Sequence, residues 1–494
     1  MKVLFLGIDA LDSDLLTRFS DRLPNFKRFL TTAVRLDVAS TFPPDSDTAW
    51  ATISTGLNPA QHGYVKFVDP LEKSYRIMNT DEDNSILHGN TFWDILGRAG
   101  FSACAVFPHL CYPIWETPAV MICRGKLNPD VQATNPELLA HYPDAEILPG
   151  IRGFPDRSFS GMSDYYRTLT RIAEADAKFG LSLLKEKNWD LFFIYWSTID
   201  AIGHFFWSTF DENDPFYDPG NPFREVIADT YRLYDKILGN FLDAVDEDTT
   251  VILLSDHGHG ARPVNAVNVN EILRQGGFLK LLDAKAKPHL SLFEQLKRSG
   301  VRFVSRHGLA RQAGRILRHV PKIVQAFTRP TLIDWDASAA FATDMSGIKA
   351  YAYGGIVINR DVVPASEIER VRSEIIHTIR EKSTLEDGSS LLKFIARRED
   401  VYQGPYLQLF PDIILEYRYG YGVGWAVNVS LITKADSYNL VPGSHRGETG
   451  TCIIRSQRNI ITSQIDLLDI LPSLLDLFSV APPRAYDGKS IFGR

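Results

Sequence analysis

Apolar runs about one strand long recur along this chain, and stretches with helical period separate them. Val3–Ile8 reads as the first strand, and Pro24–Leu30 begins a helix with proline in its first turn. The pattern predicts a short helix over Thr48–Thr55 closed by Gly56, another over Thr91–Gly97, and then a strand over Ser102–Phe107. Tyr165–Lys187 and Val226–Val245 carry the 3.6-residue period of long amphipathic helices. Leu191–Trp196 and Thr250–Leu254 are apolar throughout, as strands covered on both faces are. Beyond Asp334-Trp335 the alternation resumes, with strands at Tyr351–Asn359, Asp412–Glu416 and Cys452–Arg455 and helices at Ser366–Lys382 and Ile465–Phe478. Strands alternating with helices of this length imply βαβ units, an α/β fold and a mostly parallel central sheet.

Composition narrows the class. At 494 residues, 45% hydrophobic and 23% charged, the chain can bury a large core in two or three domains. With 53 Lys and Arg against 60 Asp and Glu, its net charge of −7 gives no general attraction to nucleic acid or to an anionic membrane. One stretch departs from this balance: Lys280–Arg329 holds twelve basic residues against Asp283 and Glu294, with helical spacing around Phe293, Leu296, Val301 and Ile316. Residues 281–330 therefore read as a basic helical insertion, either a cap for an anionic substrate or lipid surface or a solvated helical segment. Cys104, Cys111, Cys123 and Cys452 lack CxxC spacing and are expected as buried, reduced thiols. The apolar start is too short for a signal peptide and is interrupted by Asp9 and Asp12; no run approaches the ~18 residues of a membrane helix. Cytoplasm is the expected location, and oligomeric state is left open.

Chemistry gathers where the apolar runs end. Asp9 follows the first strand, Asp200-Ala-Ile-Gly-His204 follows Leu191–Trp196, and Asp256-His257 follows Thr250–Leu254. His445 lies in Gly443-Ser-His-Arg-Gly447, before the Cys452 strand. Carboxylates and imidazoles past the carboxyl ends of parallel strands sit where open α/β sheets bind ligands. Oxygen and imidazole donors without thiolate suit zinc or manganese in an open site, and six such ligands could hold two ions. Two ions side by side suit displacement at phosphorus. A nucleophile is expected at a further strand-to-helix turn, and Ser46 in Pro43-Pro-Asp-Ser-Asp-Thr-Ala-Trp50 occupies such a place. His62 reads as capping or packing under the Gly56–Gly63 turn, His259 as lying beside the site or in solvent, and the remaining histidines, His109 included, as surface or core. Arg446 could meet a phosphate oxygen or serve in a salt bridge. Tyr195-Trp196 and Phe205-Phe-Trp207 read as core; the aromatic, glycine-rich stretch Tyr417–Trp425 could line a cleft or pack as a loop.

With these residues in place the chain resembles the alkaline phosphatase superfamily, in particular its type I phosphodiesterase/nucleotide pyrophosphatase branch and the group of predicted phosphohydrolases and phosphomutases. The resemblance extends to Asn268-Val-Asn-Glu-Ile-Leu and to Arg398-Glu-Asp-Val-Tyr with Pro411-Asp412. It implies a three-layer α/β/α sandwich over 1–280 and 331–494, with the insertion 281–330 as a cap. It further implies that Asp200, His204 and His445 hold one divalent ion, and that Asp9, Asp256, His257 and the oxygen of Ser46 hold the other. Zinc is the expected metal, with manganese as the alternative. Ser46 aligns with the family nucleophile, so the implied reaction passes through a phosphoseryl enzyme acting on a small phosphorylated substrate such as a nucleotide or another diester. This sequence departs from the branch in using serine, and in placing Phe67 beside Lys66 where an asparagine is usual; Lys66 could take over its contact with phosphate. Asp45 and Asp47 flank the nucleophile and are expected to repel a dianionic monoester more than a diester. A phosphomonoesterase or phosphomutase on the same centre is the alternative, and a catalytically weak metal-binding protein recruiting an anionic partner is a third reading.

Overall fold

The computed structural model describes residues 2–65, 67, 84–125, 131–141, 155–282, 288–309, 312–313, 332–343, 351–435 and 440–493, with backbone alone at 141, 288–291 and 294. The chain divides into two compact units. One comprises Met1–Tyr64, Thr80–Gly260 and Gly443–Arg494; the other comprises Val65–Asn79 and Ala261–Pro442.

The first unit is built on a nine-stranded sheet. Its strands include β1 (Val3–Ile8), β2 (Val34–Ala39), β3 (Ala103–Val106), β4 (Val120–Arg124), β5 (Val131–Ala133), β6 (Leu191–Trp196) and β7 (Thr250–Leu254), joined by Thr451–Arg455 and Gln464–Asp466. Across the sheet the order runs from Gln464–Asp466 through β2, Thr451–Arg455, β7, β1, β6, β3 and β4 to β5. β1 lies at the centre, parallel to β6 on one side and β7 on the other. Thr451–Arg455 runs antiparallel to both β7 and β2, and β5 antiparallel to β4.

Both faces are covered, which is why β1, β6 and β7 are buried at every position. On one face Phe5, Phe193 and Ile252 share a core with Ala49, Ile53, Trp93, Leu471 and Leu474 from the flanking helices. On the other, Trp196 packs edge-on to Tyr234 and Phe241 of the helix Val226–Leu242. Gly180 in the long helix Phe159–Glu186 lets Ile194 approach so closely that a Cβ there would lie 2.5 Å from its Cδ1. All four cysteines are buried and free.

Most expected elements are present. Ser46–Thr55 is one helix, two residues longer at its start than the apolar pattern indicated, because Asp45 rather than a later residue caps it. Gly56 closes it in the left-handed conformation, φ +65°. The expected closing helix Ile465–Phe478 is shorter: Gln464–Asp466 joins the sheet edge, Asp466 caps a 3-10 turn, and the α-helix covers Ile470–Leu477. Helical spacing of leucines alone did not disclose that sheet contact.

The second unit carries a four-stranded antiparallel sheet, ordered Ala340–Thr343, Tyr353–Ile358, Ile413–Tyr417, Leu392–Arg397. Ile375 and Ile379 of the helix Ile368–Lys382 share a core with Phe341, Ile356 and Leu415. The stretch Tyr417–Trp425 is not a loose loop: Tyr421–Gly424 is a strand, and Tyr417 and Trp425 are buried while Tyr419 is exposed. Within the basic segment, Pro288–Arg306 forms a helix. Among the described residues no helix is long and apolar enough to cross a membrane.

Gly7 in the central strand faces Trp50; a Cβ there would lie 2.7 Å from the indole and 3.1 Å from Phe193. Gly7→Ala should therefore destabilise the unit by about 1–3 kcal/mol through overpacking, read as a lower urea midpoint; an unchanged midpoint would show that the indole can move at no cost.

Candidate metal centre

Strand polarity brings the sequence-distant acids together. Asp9, Asp200 and Asp256 follow β1, β6 and β7, three adjacent parallel strands, so all three emerge at one edge of the sheet. Because Thr451–Arg455 runs the other way, its amino end lies at this same edge, and His445 precedes it in the strand Gly443–Arg446. β2 runs parallel to β7 and delivers Ser46, the first residue of its helix.

Two sets of donor atoms converge within the first unit. In one, Asp200 Oδ1 lies 3.3 Å from His204 Nε2 and 3.2 Å from His445 Nε2, and the two imidazole nitrogens are 3.0 Å apart. Asp200 and His204 sit one helical turn apart on Thr198–Phe210, which is what makes the pair face one way. In the other, His257 Nε2 lies 3.1 Å from Asp256 Oδ2 and 3.7 Å from Asp9 Oδ1, and Ser46 Oγ lies 3.3 Å from both Asp9 Oδ1 and His257 Nε2. His257 also comes within 4.8 Å of Asp200 and His445, and its ring stacks on His445 at 3.9 Å. Its shorter contacts place it with Asp9 and Asp256, while His204 completes the Asp200 set.

The hydrogen-bond partners settle which nitrogen faces inward. His204 Nδ1 pairs with the Gly443 carbonyl at 3.1 Å, His257 Nδ1 with the Gly258 carbonyl at 3.0 Å, and His445 Nδ1 with the Pro44 carbonyl at 2.7 Å. A carbonyl only accepts, so each Nδ1 carries the proton and each Nε2 presents a lone pair. Two lone pairs 3.0 Å apart beside a carboxylate repel one another unless a cation lies among them. Asp200 Oδ1 and Asp256 Oδ2 are buried and make no hydrogen bond among the described residues. Orphaned oxygens and inward lone pairs fit a divalent ion held by nitrogen and oxygen.

Neighbouring residues orient these groups. Tyr195 and Trp50 donate to Asp9 Oδ2 at 2.6 and 3.2 Å, leaving Oδ1 for the site. Ala10 takes a left-handed backbone, φ 58°, and donates its N–H to Asp256 Oδ1 at 3.3 Å. Strain at a non-glycine residue of this kind persists where surrounding structure over-determines it. Asp12 binds the backbone N–H of His259 and the hydroxyl of Thr449 through Oδ2, at 3.1 and 2.5 Å, tying the His257 and His445 segments to β1. Gly258 stands against that pair, where a Cβ would collide with both Thr449 and Asp12. His259 is 1% exposed and wedged between Gly203 and Gly443, with Nδ1 3.6 Å from Asp200 Oδ1. His62 packs beneath the turn as expected, accepting from Tyr64 N–H and facing Thr52 Oγ1, and burial pushes it down to about 3.

Other expectations change. Asp47 is buried and bonds His109 Nε2 at 2.6 Å, so His109 is neither surface nor inert core. Asp45 caps the helix that begins at Ser46 by accepting from Asp47 N–H. The expected repulsion by two free carboxylates flanking Ser46 therefore does not apply as stated. Arg446 reaches Asp14 at 3.2 Å and Glu448 at 3.8 Å, the salt-bridge alternative. Tyr195 is buried and committed to Asp9. Lys66 lies outside the described residues. The roles of Asp12 and His109 escaped the sequence, although both follow strand ends, Asp9-Ala-Leu-Asp12 and Phe107-Pro-His109; that position was the available signal.

Burial, together with Asp200, pushes the Asp9 carboxyl up to about 7, and burial with Asp9 holds Asp256 well above its ordinary value. In metal-free protein burial also acts to raise Asp200, but His204, His259 and His445, which can take up a second proton when no cation engages Nε2, outweigh it and hold this group well below its ordinary value. In metal-free protein, folded Asp9 keeps a proton that the unfolded chain gives up from 3.8 upward, so its contribution to stability falls as pH rises from about 4 to about 7. Thermal unfolding in chelator should show this decline, flattened in Asp9→Asn. Equal pH profiles for the two proteins would contradict the assignment.

The sequence profile of the type I phosphodiesterase/nucleotide pyrophosphatase family matches residues 3–423. No curated protein sequence matches the chain. Among solved structures, phosphonoacetate hydrolase from Sinorhizobium meliloti 1021 with phosphonoformate aligns over 95% of this chain and 94% of its own, at 13% identity and TM-score 0.55. Human ectonucleotide pyrophosphatase/phosphodiesterase 5 aligns over 100% of both chains, at 13% identity and TM-score 0.48. At such identity the likeness to the hydrolase is one of fold, and it bears out the alkaline phosphatase-like α/β architecture. With its profile matched across most of its length, the chain belongs to the type I phosphodiesterase/nucleotide pyrophosphatase family.

Proposed function

We propose that the chain is a two-metal phosphoesterase that cleaves phosphodiester or pyrophosphate bonds with Ser46 as nucleophile. Family membership supplies the reaction class, a metal-dependent phosphoric ester hydrolase. The observation that carries the finer reading is the position of Ser46 Oγ, 3.3 Å from both Asp9 Oδ1 and His257 Nε2 at the amino end of a ten-residue helix. Divalent ions held by Asp200, His204 and His445 and by Asp9, Asp256 and His257 would lower the serine pKa and neutralise charge gathering at phosphorus. The helix dipole favours an anionic group beside Ser46. Ser46 Oγ has Asp9 Oδ1 and His257 Nε2 both within reach; with those atoms holding an ion, the hydroxyl proton would pass to solvent as Oγ bonds phosphorus, and the leaving oxygen would take a proton from water as it departs. Water then cleaves the phosphoserine, releasing the phosphomonoester and restoring the hydroxyl.

One observation favours a second reading. With Asp47 paired to His109 and Asp45 engaged as a helix cap, local charge discriminates less against a dianionic monoester. A phosphomonoesterase or mutase using the same residues follows from that. The third reading, a weak binding protein, is disfavoured because every position the chemistry needs is occupied by a suitable side chain.

Hydrolysis of bis(p-nitrophenyl) phosphate and p-nitrophenyl phosphate, with added zinc or manganese, separates these readings. The diester is expected to be cleaved faster, with kcat falling at least about a thousandfold in Ser46→Ala and activity lost in chelator. Faster monoester cleavage would move the assignment to the second reading, and unchanged activity in Ser46→Ala would remove Ser46 as nucleophile.

A further inference from the structure

The helix Pro288–Arg306, which takes no part in the chemistry above, presents an unusual surface. Leu292, Leu296 and Phe303 are 58%, 63% and 57% exposed, three of the six most exposed large apolar residues among those described. Spacings of four and seven residues place all three on one stripe of an α-helix. Arg302 and Arg306 are exposed beside the stripe, while Ser305 is buried on the opposite side. From Pro288 to Arg306 the sequence holds four basic residues, Lys297, Arg298, Arg302 and Arg306, against the single acid Glu294. The surrounding Lys280–Arg329 segment carries ten more basic than acidic residues in a chain that is otherwise acidic.

We infer that this helix docks on an anionic lipid surface, its leucines and phenylalanine entering the headgroup–acyl boundary and its arginines meeting lipid phosphates and carboxylates. A nucleic acid would use the cations but would leave the apolar stripe exposed to water. A neutral partner would cover the stripe but would give the clustered positive charge no counterpart. A helix with Leu and Phe along one line and basic residues at its flank matches the interface plane of a membrane on both counts. Such docking is peripheral and reversible, since the stripe is short and the helix does not span a bilayer.

Co-sedimentation of the full chain with phosphatidylcholine vesicles, with and without the anionic lipid phosphatidylserine, tests this. Binding is expected only with the anionic vesicles, and weakening as salt screens the arginines. It should drop about a hundredfold in Leu292→Gln/Leu296→Gln/Phe303→Gln and markedly in Arg302→Glu/Arg306→Glu. Both variants should keep wild-type circular dichroism and soluble-substrate hydrolysis, which separates lost docking from lost folding. No binding to anionic vesicles, or binding that survives the triple substitution, would overturn the inference. So would a wild-type dimer that becomes monomeric in the triple variant without any vesicle binding, which would assign the stripe to a second copy of the chain.

Discussion

Three carboxylates and three imidazole lone pairs, buried or half-buried, crowd one edge of a sheet, and positive charge among them would relieve their mutual repulsion. Asp9 Oδ1, Asp200 Oδ1 and Asp256 Oδ2 all face inward, and the Nε2 atoms opposite them are left with lone pairs because each ring's Nδ1 proton goes to a backbone carbonyl on its far side. Without a cation the arrangement is costly in each state it can adopt. Charged acids repel in a desolvated space, and neutral acids leave polar atoms without partners. The raised Asp9 and Asp256 and the depressed Asp200 express that conflict in one pocket.

The remainder of the first unit keeps these atoms in place. Rigid, fully covered strands β1, β6 and β7 set the spacing of the three acids, and the reversed Thr451–Arg455 strand returns His445 to the same edge. Around them lies a set of polar clamps: Tyr195 and Trp50 on Asp9, Ala10 on Asp256, and Asp12 across to His259 and Thr449. Glycines occur where side chains would intrude. Gly258 and Gly443 give room to the Asp12–Thr449 pair and to His259, and Gly7 gives room to the indole that holds Asp9.

Much of this was legible in the sequence. Apolar runs ending in Asp or Asp-His marked β1, β6 and β7 and the ligand candidates together, because buried parallel strands leave a plain apolar signature. What stayed hidden depended on tertiary pairing. No periodicity reveals that Thr451–Arg455 runs against its neighbours, nor that Gln464–Asp466 leaves a helical pattern to pair with β2. Asp47 looked like a free charge beside Ser46 because His109, its partner, is 62 residues away in the chain. Tyr417–Trp425 looked like a loop because its glycines mask a strand paired with Asn265–Asn268.

Metal content of the purified chain, measured by plasma mass spectrometry after exchange into zinc and removal of loosely bound ion, tests the central claim most directly. Two tightly bound equivalents per chain are expected, falling to one in Asp200→Asn/His204→Ala as the first donor set is dismantled. A chain that retains no metal, or one whose stoichiometry is the same in that variant, would contradict the account.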